Sequence, residues 1–338
     1  MHVYRCAMHL VADIGGTHAR FALLDVASGA LGAARTVAAA DHPDIAAAIR
    51  HYLESALPDA SGTSRPRVAA VQAAALAVAA PVRGTRIEFT NSPWAFDAHA
   101  LRAALGLQHL EVLNDFEALA LSLQALPAAS LRLLKPGAAD PAAPCVVLGP
   151  GTGLGVAGVL PARAGASPAS VRVLASQGGH VGFAPCDDIE IDLLRFVRAR
   201  VGRVSAEQLL SGRGLLQLYG FFAQRAGVTA PVLTPAQVGE RALAGSDPVA
   251  RESVLRFWAL LGGFAADVAL SYGAWGGVYL GGGIAPRLLP LQPHSDFVAR
   301  FGAKQPMDAV LEPVPVWLID DPLAALRGAA AALRGARP

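Results

Sequence analysis

The feature that most constrains this chain is a hairpin written twice. "LVADIGGTHARFALLD", Leu10 to Asp25, is an apolar run ending near Asp13, a Gly-Gly-Thr turn and a second apolar run. "VVLGPGTGLGVAGVL", Val146 to Leu160, repeats the scheme. Gly16-Thr17 leads to Phe21-Ala22, and Gly151-Thr152 leads to Val156-Ala157 at the same internal spacing. Two apolar runs of strand length joined by a glycine turn predict an antiparallel hairpin. A supersecondary unit that recurs predicts a chain made of two related halves.

A length of 338 residues suits that expectation, because single cores rarely grow beyond ~250–300 residues. After each hairpin, strand-like runs alternate with helical ones, the α/β pattern. In the first half "RVAAVQAAALAVAAP" and "HLEVLN" read as strands, "LRAALGL" and "DFEALALSLQAL" as helices. In the second, "DIEIDLLRFVRARVG", "SAEQLLSGRGLLQLYGFFAQRAG" and "VARESVLRFWALLGGFAADVALSYG" are helical, and "GGVYLGGGIAPRLL" runs from strand through glycines into helix. "PVPVWLID" and "PLAALRGAAAAL" close the chain as a strand and a helix, a unit too small to stand alone. The expected lobes are residues 1–125 with 319–338, the smaller, and 126–318, the larger. Pro/Ala/Gly-rich stretches at 127–144 and 161–170 read as surface connections.

Composition removes several classes of function. Hydrophobic residues make up 53 %, yet the longest apolar stretch, Val68 to Val82, is alanine-rich, contains Gln72 and falls short of a membrane span. No basic, apolar and small-residue leader pattern precedes Leu10, which predicts a cytoplasmic protein without a membrane partner. The 28 basic and 26 acidic side chains nearly cancel and no window is densely basic, so nucleic acid is not an expected partner. Cys6, Cys145 and Cys186 lack ligand spacing, which argues against a disulfide framework or a zinc site. The only lysines, Lys135 and Lys304, stand in no GxxxxGK[ST] loop. Nucleotide phosphates would therefore have to be held by backbone amides, hydroxyls and a metal.

The paired hairpins supply such amides and hydroxyls, since glycine lets backbone approach an anion closely. A third cluster, Gly281-Gly282-Gly283, lies between a strand and a helix, where an adenosine could rest. Asp13 could hold hydrated magnesium or only cap its turn. In "VLNDFEALA", Asn114 and Asp115 end a strand and begin a helix, the place where α/β proteins put ligands. Asp115 could cap the helix, or could take the proton of a hydroxyl that attacks the γ-phosphorus of ATP while Asn114 orients the acceptor. His180 in "SQGGHVGFAP" and Glu207 in "VSAEQLLSGRG" add groups able to hydrogen-bond sugar hydroxyls. The acidic run Asp187, Asp188, Glu190, Asp192 lacks calcium-loop spacing and reads as a solvated helix start.

Together these segments resemble the bacterial glucokinases of the hexokinase/actin-like superfamily. The resemblance covers nearly the whole chain, from "DIGGTHARFALLD" through "TNSPWAF", "LNDFEALA", "GPGTGLGVA", "GGHVGFAP", "SAEQLLSGRGL" and "YLGGGIAPR" to "IDDPLAALRGAA". It implies two actin-like (ribonuclease H-like) α/β lobes around a central cleft, with ATP and Mg2+ as cofactors, phosphate transfer to the 6-hydroxyl of a hexose, and a homodimer. It implies Asp115 as the base and Asn114, His180 and Glu207 as sugar ligands. Asp13, Gly15, Gly16, Thr17, Gly151, Thr152 and Gly153 would belong to the phosphate loops.

One position departs from the family pattern: Gln177 stands where these glucokinases carry the glutamate of a Glu-Gly-Gly-His motif. In the family that carboxylate grips the hydroxyls near carbons 1 and 2 of the sugar. Glutamine keeps an acceptor, adds donors and removes the charge. A hydrogen bond to a charged partner contributes roughly 1.5–3 kcal/mol, about one to two powers of ten in affinity. The change predicts weakened glucose binding, or an amide that meets a 2-acetamido group, with N-acetylglucosamine as the second substrate expectation. Two other expectations are a sugar-sensing regulator and a chaperone-like ATPase. The first is opposed by the intact Asp115 and hairpins and by the short segment before the first strand, too short for a helix-turn-helix. The second is opposed by the Asn114, Asp115, His180 and Glu207 set.

Overall fold

The computed structural model describes residues 8–56, 71–89, 94–161 and 171–335. Cys6, residues 68–70 of the apolar stretch, residues 90–93 of "TNSPWAF" and 162–170 of the second connection lie outside them. The described residues fall into two compact units, one holding those up to 126 and from 321 onward, the other 127–161 and 172–320.

The first unit is built on a five-stranded sheet. β1 (Met8–Ile14) and β2 (His18–Asp25) form the expected antiparallel hairpin, and β3 (Leu31–Ala38) extends it. After α1 (Ile45–Ala56), β4 (Val71–Val78) lies parallel to β1. A small hairpin of β5 (Arg86–Glu88) and β6 (Ala95–Asp97) precedes α2 (Ala98–Ala104). β7 (His109–Asn114), parallel to β4, then runs directly into α3 (Asp115–Ser122). The sheet order is β3-β2-β1-β4-β7. Side chains alternate across it with period two. Leu10, Ala12 and Ile14 pack with Ile49, Tyr52 and Leu53 of α1. Val11, Ala75 and Ala77 pack with Ala118 and with Leu326, Ala329 and Leu333 of the C-terminal helix, Ala324–Gly335. Burial on both faces explains why the parallel strands read as continuous apolar runs. At Gly328 the C-terminal helix crosses α3 so closely that a Cβ would collide with the carbonyl of Ala118.

The second unit repeats that order and adds an edge. β9 (Cys145–Pro150), β10 (Leu154–Leu160) and β11 (Arg172–Ser176) run antiparallel, and β12 (Val278–Leu280) and β13 (Val316–Ile319) continue parallel to β9. β8 (Leu131–Lys135) closes the far edge against β13, giving β11-β10-β9-β12-β13-β8. This strand corrects the reading of residues 127–144 as connection only. Its five residues lie between prolines, and the buried Lys135 that ends it donates to the carbonyls of Glu312 (2.7 Å) and Val314 (2.9 Å), partners far away in sequence. The helices are α4 (Asp188–Val201), α5 (Gly212–Arg225), α6 (Pro235–Ala244), α7 (Pro248–Tyr272), α8 (Ala285–Leu288), α9 (Phe297–Gly302) and α10 (Asp308–Leu311). Among the described residues α7 is the one helix long and apolar enough to cross a membrane. Most of its apolar side chains, Phe257, Trp258 and Leu261 among them, are buried in this unit's core.

The two hairpins match on their second strands but not on their first. Phe21 lies opposite Ala12, four residues before Gly16, whereas Val156 lies opposite Leu148, three before Gly151. The second turn is thus one residue shorter. Asp13 pairs with Arg20, and the equivalent pair in the second hairpin is Gly149 with Gly155. The duplication therefore supplies one carboxylate and one glycine at matching positions.

The start of α4 also differs from expectation. Glu190 is fully buried, held by Arg256 of α7 and Arg300 of α9, so the solvated reading fails at this residue while Asp188 of the same run is exposed.

Candidate functional site

In the first unit the candidates gather at the carboxyl ends of β1 and β7. The turn Gly15-Gly16-Thr17 is closed by the Gly15 N–H donating to the His18 carbonyl at 2.9 Å. Thr17 is exposed, and its carbonyl accepts from Ala39 at 2.8 Å. Asp13 and Asn114 sit on strands separated by β4, at nearly the same level: Asp13 is opposite Ala77 and Asn114 is opposite Val78.

Asn114 is the N-cap of α3. Its Oδ1 accepts from the Phe116 N–H at 3.0 Å, its Nδ2 donates to the Ala80 carbonyl at 3.2 Å, and Glu117 completes a capping box. The cap thus belongs to Asn114, which releases Asp115 from the purely structural role weighed for it. The Asn114 amide also donates to the Asp115 carboxyl, and its Oδ1 keeps one accepting position beyond these contacts. Burial, reinforced by the charge of Asp13, raises the Asp115 carboxyl to about 7, against the lowering effect of the Phe116 N–H. Burial also raises the Asp13 carboxyl, with Arg20 opposing. Two crowded carboxylates with incomplete compensation are a charge arrangement that a cation would relieve.

In the second unit the remaining candidates are knit together by backbone. The Gly151 N–H donates to the Gly153 carbonyl at 2.7 Å, and the Gly151 carbonyl accepts from Gly212 at 2.9 Å. Thr152, between them, is exposed. Gly281 donates to the Leu148 carbonyl at 2.8 Å, and Gly282 takes φ +81°, a conformation that suits glycine. Gly283 follows in open space just before α8.

Glu207 reaches back to this hairpin and its Oε2 accepts from the Leu154 N–H at 3.0 Å. It can do so because residue 153 is glycine; a Cβ there would lie 2.6 Å from that oxygen. His180 Nδ1 stands 3.8 Å from Glu207 Oε1, too far for a hydrogen bond but close enough for both to address one small polar molecule. Gln177 is exposed at the start of the same turn, its carbonyl accepting from the His180 N–H at 3.0 Å.

Two glycines escaped the sequence reading. A Cβ on Gly149 would strike the backbone of Gly281, and one on Gly179 would strike the Leu154 carbonyl. The dense glycine spelling of "LGPGTG" and "QGGH" was the available signal, but only the pairing of distant segments shows what each glycine admits.

A sheet ordered 3-2-1-4-5 that occurs twice, each copy led by a glycine hairpin, is the actin-like fold, and its likeness to a solved glucokinase places the chain among the sugar kinases that have it. The chain belongs to the glucokinase family, whose model, Glucokinase, matches residues 10–336. It is 46 % identical over 325 residues to the glucokinase of Cupriavidus pinatubonensis, covering 96 % of this chain and 91 % of that one. Among solved structures, a glucokinase from an Antarctic psychrotroph matches with a TM-score of 0.81 at 36 % identity, over 98 % of this chain and 99 % of that one. A glucokinase from Streptomyces griseus in complex with glucose and AMPPNP shares the fold at 20 % identity and a TM-score of 0.63, over 96 % and 98 % of the two chains.

Proposed function

We propose that this chain transfers the γ-phosphoryl group of ATP to the 6-hydroxyl of glucose, giving glucose 6-phosphate and ADP. The observation that carries the reading is Asp115: a carboxyl at the head of α3, freed from capping by Asn114 and poised near pH 7. A general base works best with a pKa near the working pH, where it is ionised yet basic. Asp115 takes the proton of the 6-hydroxyl as that oxygen forms its bond to phosphorus and the bond from phosphorus to the β,γ-bridging oxygen breaks. Asn114, His180, Glu207 and Gln177 bind the sugar hydroxyls.

The amides of Gly16 and Gly153 and the hydroxyls of Thr17 and Thr152 bind the phosphates, while Gly15 and Gly151, whose N–H groups close the two turns, let the backbone approach them closely. Gly281 and Gly282 lie tight against the end of β9, and Gly283, which faces open space, leaves the adenosine room. The AMPPNP in the Streptomyces kinase, an ATP analogue, supports ATP as donor. Magnesium, when bound, screens the triphosphate charge, and Asp13 is the residue that would hold it. No group of three or more metal-binding side chains occurs among the described residues, so water and phosphate oxygens would supply the other ligands. The relatives' name favours glucose over a 2-acetamido sugar. The family reading also makes the enzyme a cytoplasmic homodimer, which light scattering on the purified chain would test.

The test is a coupled ADP-release assay with glucose on the native chain and on Asp115→Asn. Glucose-dependent release in the native chain, lost by about two to four powers of ten in the variant, is the expected outcome. Release that is independent of sugar, or unchanged in Asp115→Asn, overturns the assignment.

A further inference from the structure

Residues 178 and 179 rest on β10, but the stretch that follows His180 borders a cavity. Val181 and Phe183, which follow His180, and Leu209, just after Glu207, line one side of a pocket of about 250 Å3. Leu260 and Phe264 of α7 line the other. What joins the two sugar-site segments is backbone. The Phe183 N–H donates to Val204 at 3.1 Å, the Ala206 N–H donates to Val181 at 2.9 Å, and Gly182 bridges Ser205. Of this small two-stranded unit, 204–206 is buried in the core, whereas 181–183 borders the cavity and is held to its neighbour by backbone.

Its anchor lies where the segment enters α4. The Cys186 N–H donates to Glu190 Oε2 at 2.8 Å, and Glu190 has no exposed surface. Arg300 grips that carboxylate with two bonds, Nη1 to Oε1 at 2.7 Å and Nη2 to Oε2 at 3.0 Å. Arg256 adds a bond to Oε1 at 3.1 Å and another to Asp187 at 2.6 Å. Two carboxylates face two guanidiniums, so the charges balance. The forked pairing fixes direction as well as distance. Breaking such a buried pair from one side is far costlier than omitting it altogether, so the carboxylate has few alternative positions.

We propose that Glu190 is a positioning residue for the sugar: through the Cys186 amide it sets where the 181–186 stretch stands over the pocket, and so where the turn that ends in His180 is held at its far end. The inference rests on the glucose-kinase reading above. A purely structural cluster would tie α4 to α7 and α9 and leave sugar affinity unchanged.

The test measures KM for glucose and for ATP separately in the native chain, Glu190→Gln and Arg300→Lys. Glu190→Gln is expected to raise the glucose KM about tenfold with the ATP KM within twofold, and Arg300→Lys, which keeps the charge and loses the fork, about threefold. A folded Glu190→Gln chain whose glucose KM stays within twofold of native, or whose two KM values rise together, overturns the proposal. Should Glu190→Gln fail to fold, Arg300→Lys is judged by the same split, with a glucose KM unchanged from native as the overturning result. Glucose-independent turnover in the native chain would sink the function instead. The positioning is then read by hydrogen exchange: the Phe183, Cys186 and Ala206 amides must exchange together and faster in Arg300→Lys, and independent exchange in the native chain overturns it.

Discussion

Asp115 carries opposing electrostatic demands. Burial and the neighbouring Asp13 favour its neutral form, while the Phe116 N–H favours the carboxylate, and the balance falls at about 7. A base must be ionised to accept a proton, so kcat/KM for glucose should fall about tenfold per unit as pH drops below roughly 7 and level off above it. Asp13→Asn removes a charge that raises this pKa and should move the limb to lower pH, besides weakening use of magnesium; a pH profile of both chains checks this. The same shift has a stability consequence. With the folded pKa above the unfolded one, Asp115 contributes stability that is fully present below its unfolded value and is lost as pH rises through about 7. Asp115→Asn should therefore unfold at a higher temperature than the native chain at pH 8 and show little gain near pH 3, read by thermal melts. Gln177 offers a second substitution. Restoring a carboxylate there exchanges a neutral hydrogen bond for a charged one, worth about 1 kcal/mol, so Gln177→Glu should lower the glucose KM roughly fivefold in the coupled assay. An unchanged KM would mean that the exposed Gln177 side chain does not meet the sugar.

At the scale of elements, close approach matters more than helix propensity. Gly328 lies inside the C-terminal helix, where alanine would normally gain about 1 kcal/mol over glycine. Here the added Cβ would fall on the Ala118 carbonyl of α3, a backbone atom that cannot swing aside. Gly328→Ala should lose about 1–3 kcal/mol instead, measured by denaturant unfolding, and a stabilised variant would show that the two helices can part without loss. The same kind of contact divides what the sequence discloses from what it hides. β1, β2, β9 and β10 were legible because glycine turns and apolar runs are local signals, and Asn114-Asp115 was legible because a strand that becomes a helix exposes its end. Glu190 was misread because acids at a helix start are usually solvated, while its partners Arg256 and Arg300 lie 66 and 110 residues away. Gly149 and Gly328 were silent for a related reason: the backbone each admits belongs to a segment that sequence spacing does not bring near.

The chain as a whole is a duplication whose first half is finished last. The five strands of the first unit's sheet come from residues before 126, yet one of its faces is covered by α3 together with the helix of 324–335. Leu326, Ala329, Ala330 and Leu333 cover Val11, Leu24, Ala75, Ala77 and Leu113, all within 8 % exposure. Burial of a leucine side chain contributes about 1.5–3 kcal/mol, so two leucines and their alanine neighbours represent a large part of the ~5–15 kcal/mol that holds a typical domain folded. The core of the second unit contains none of these residues, and β8 to β13 all end by Ile319. Removing residues 321–338 should therefore unfold the first unit alone. Limited trypsin digestion of the truncated chain should cut within residues 8–126 first and leave a resistant fragment from the second unit, with glucose-dependent ADP release abolished because Asp115 is lost with its unit. Equal protection of both regions in the truncated chain would mean that α1 and the opposite sheet face suffice to hold the first unit, and that the returning helix is dispensable for its fold.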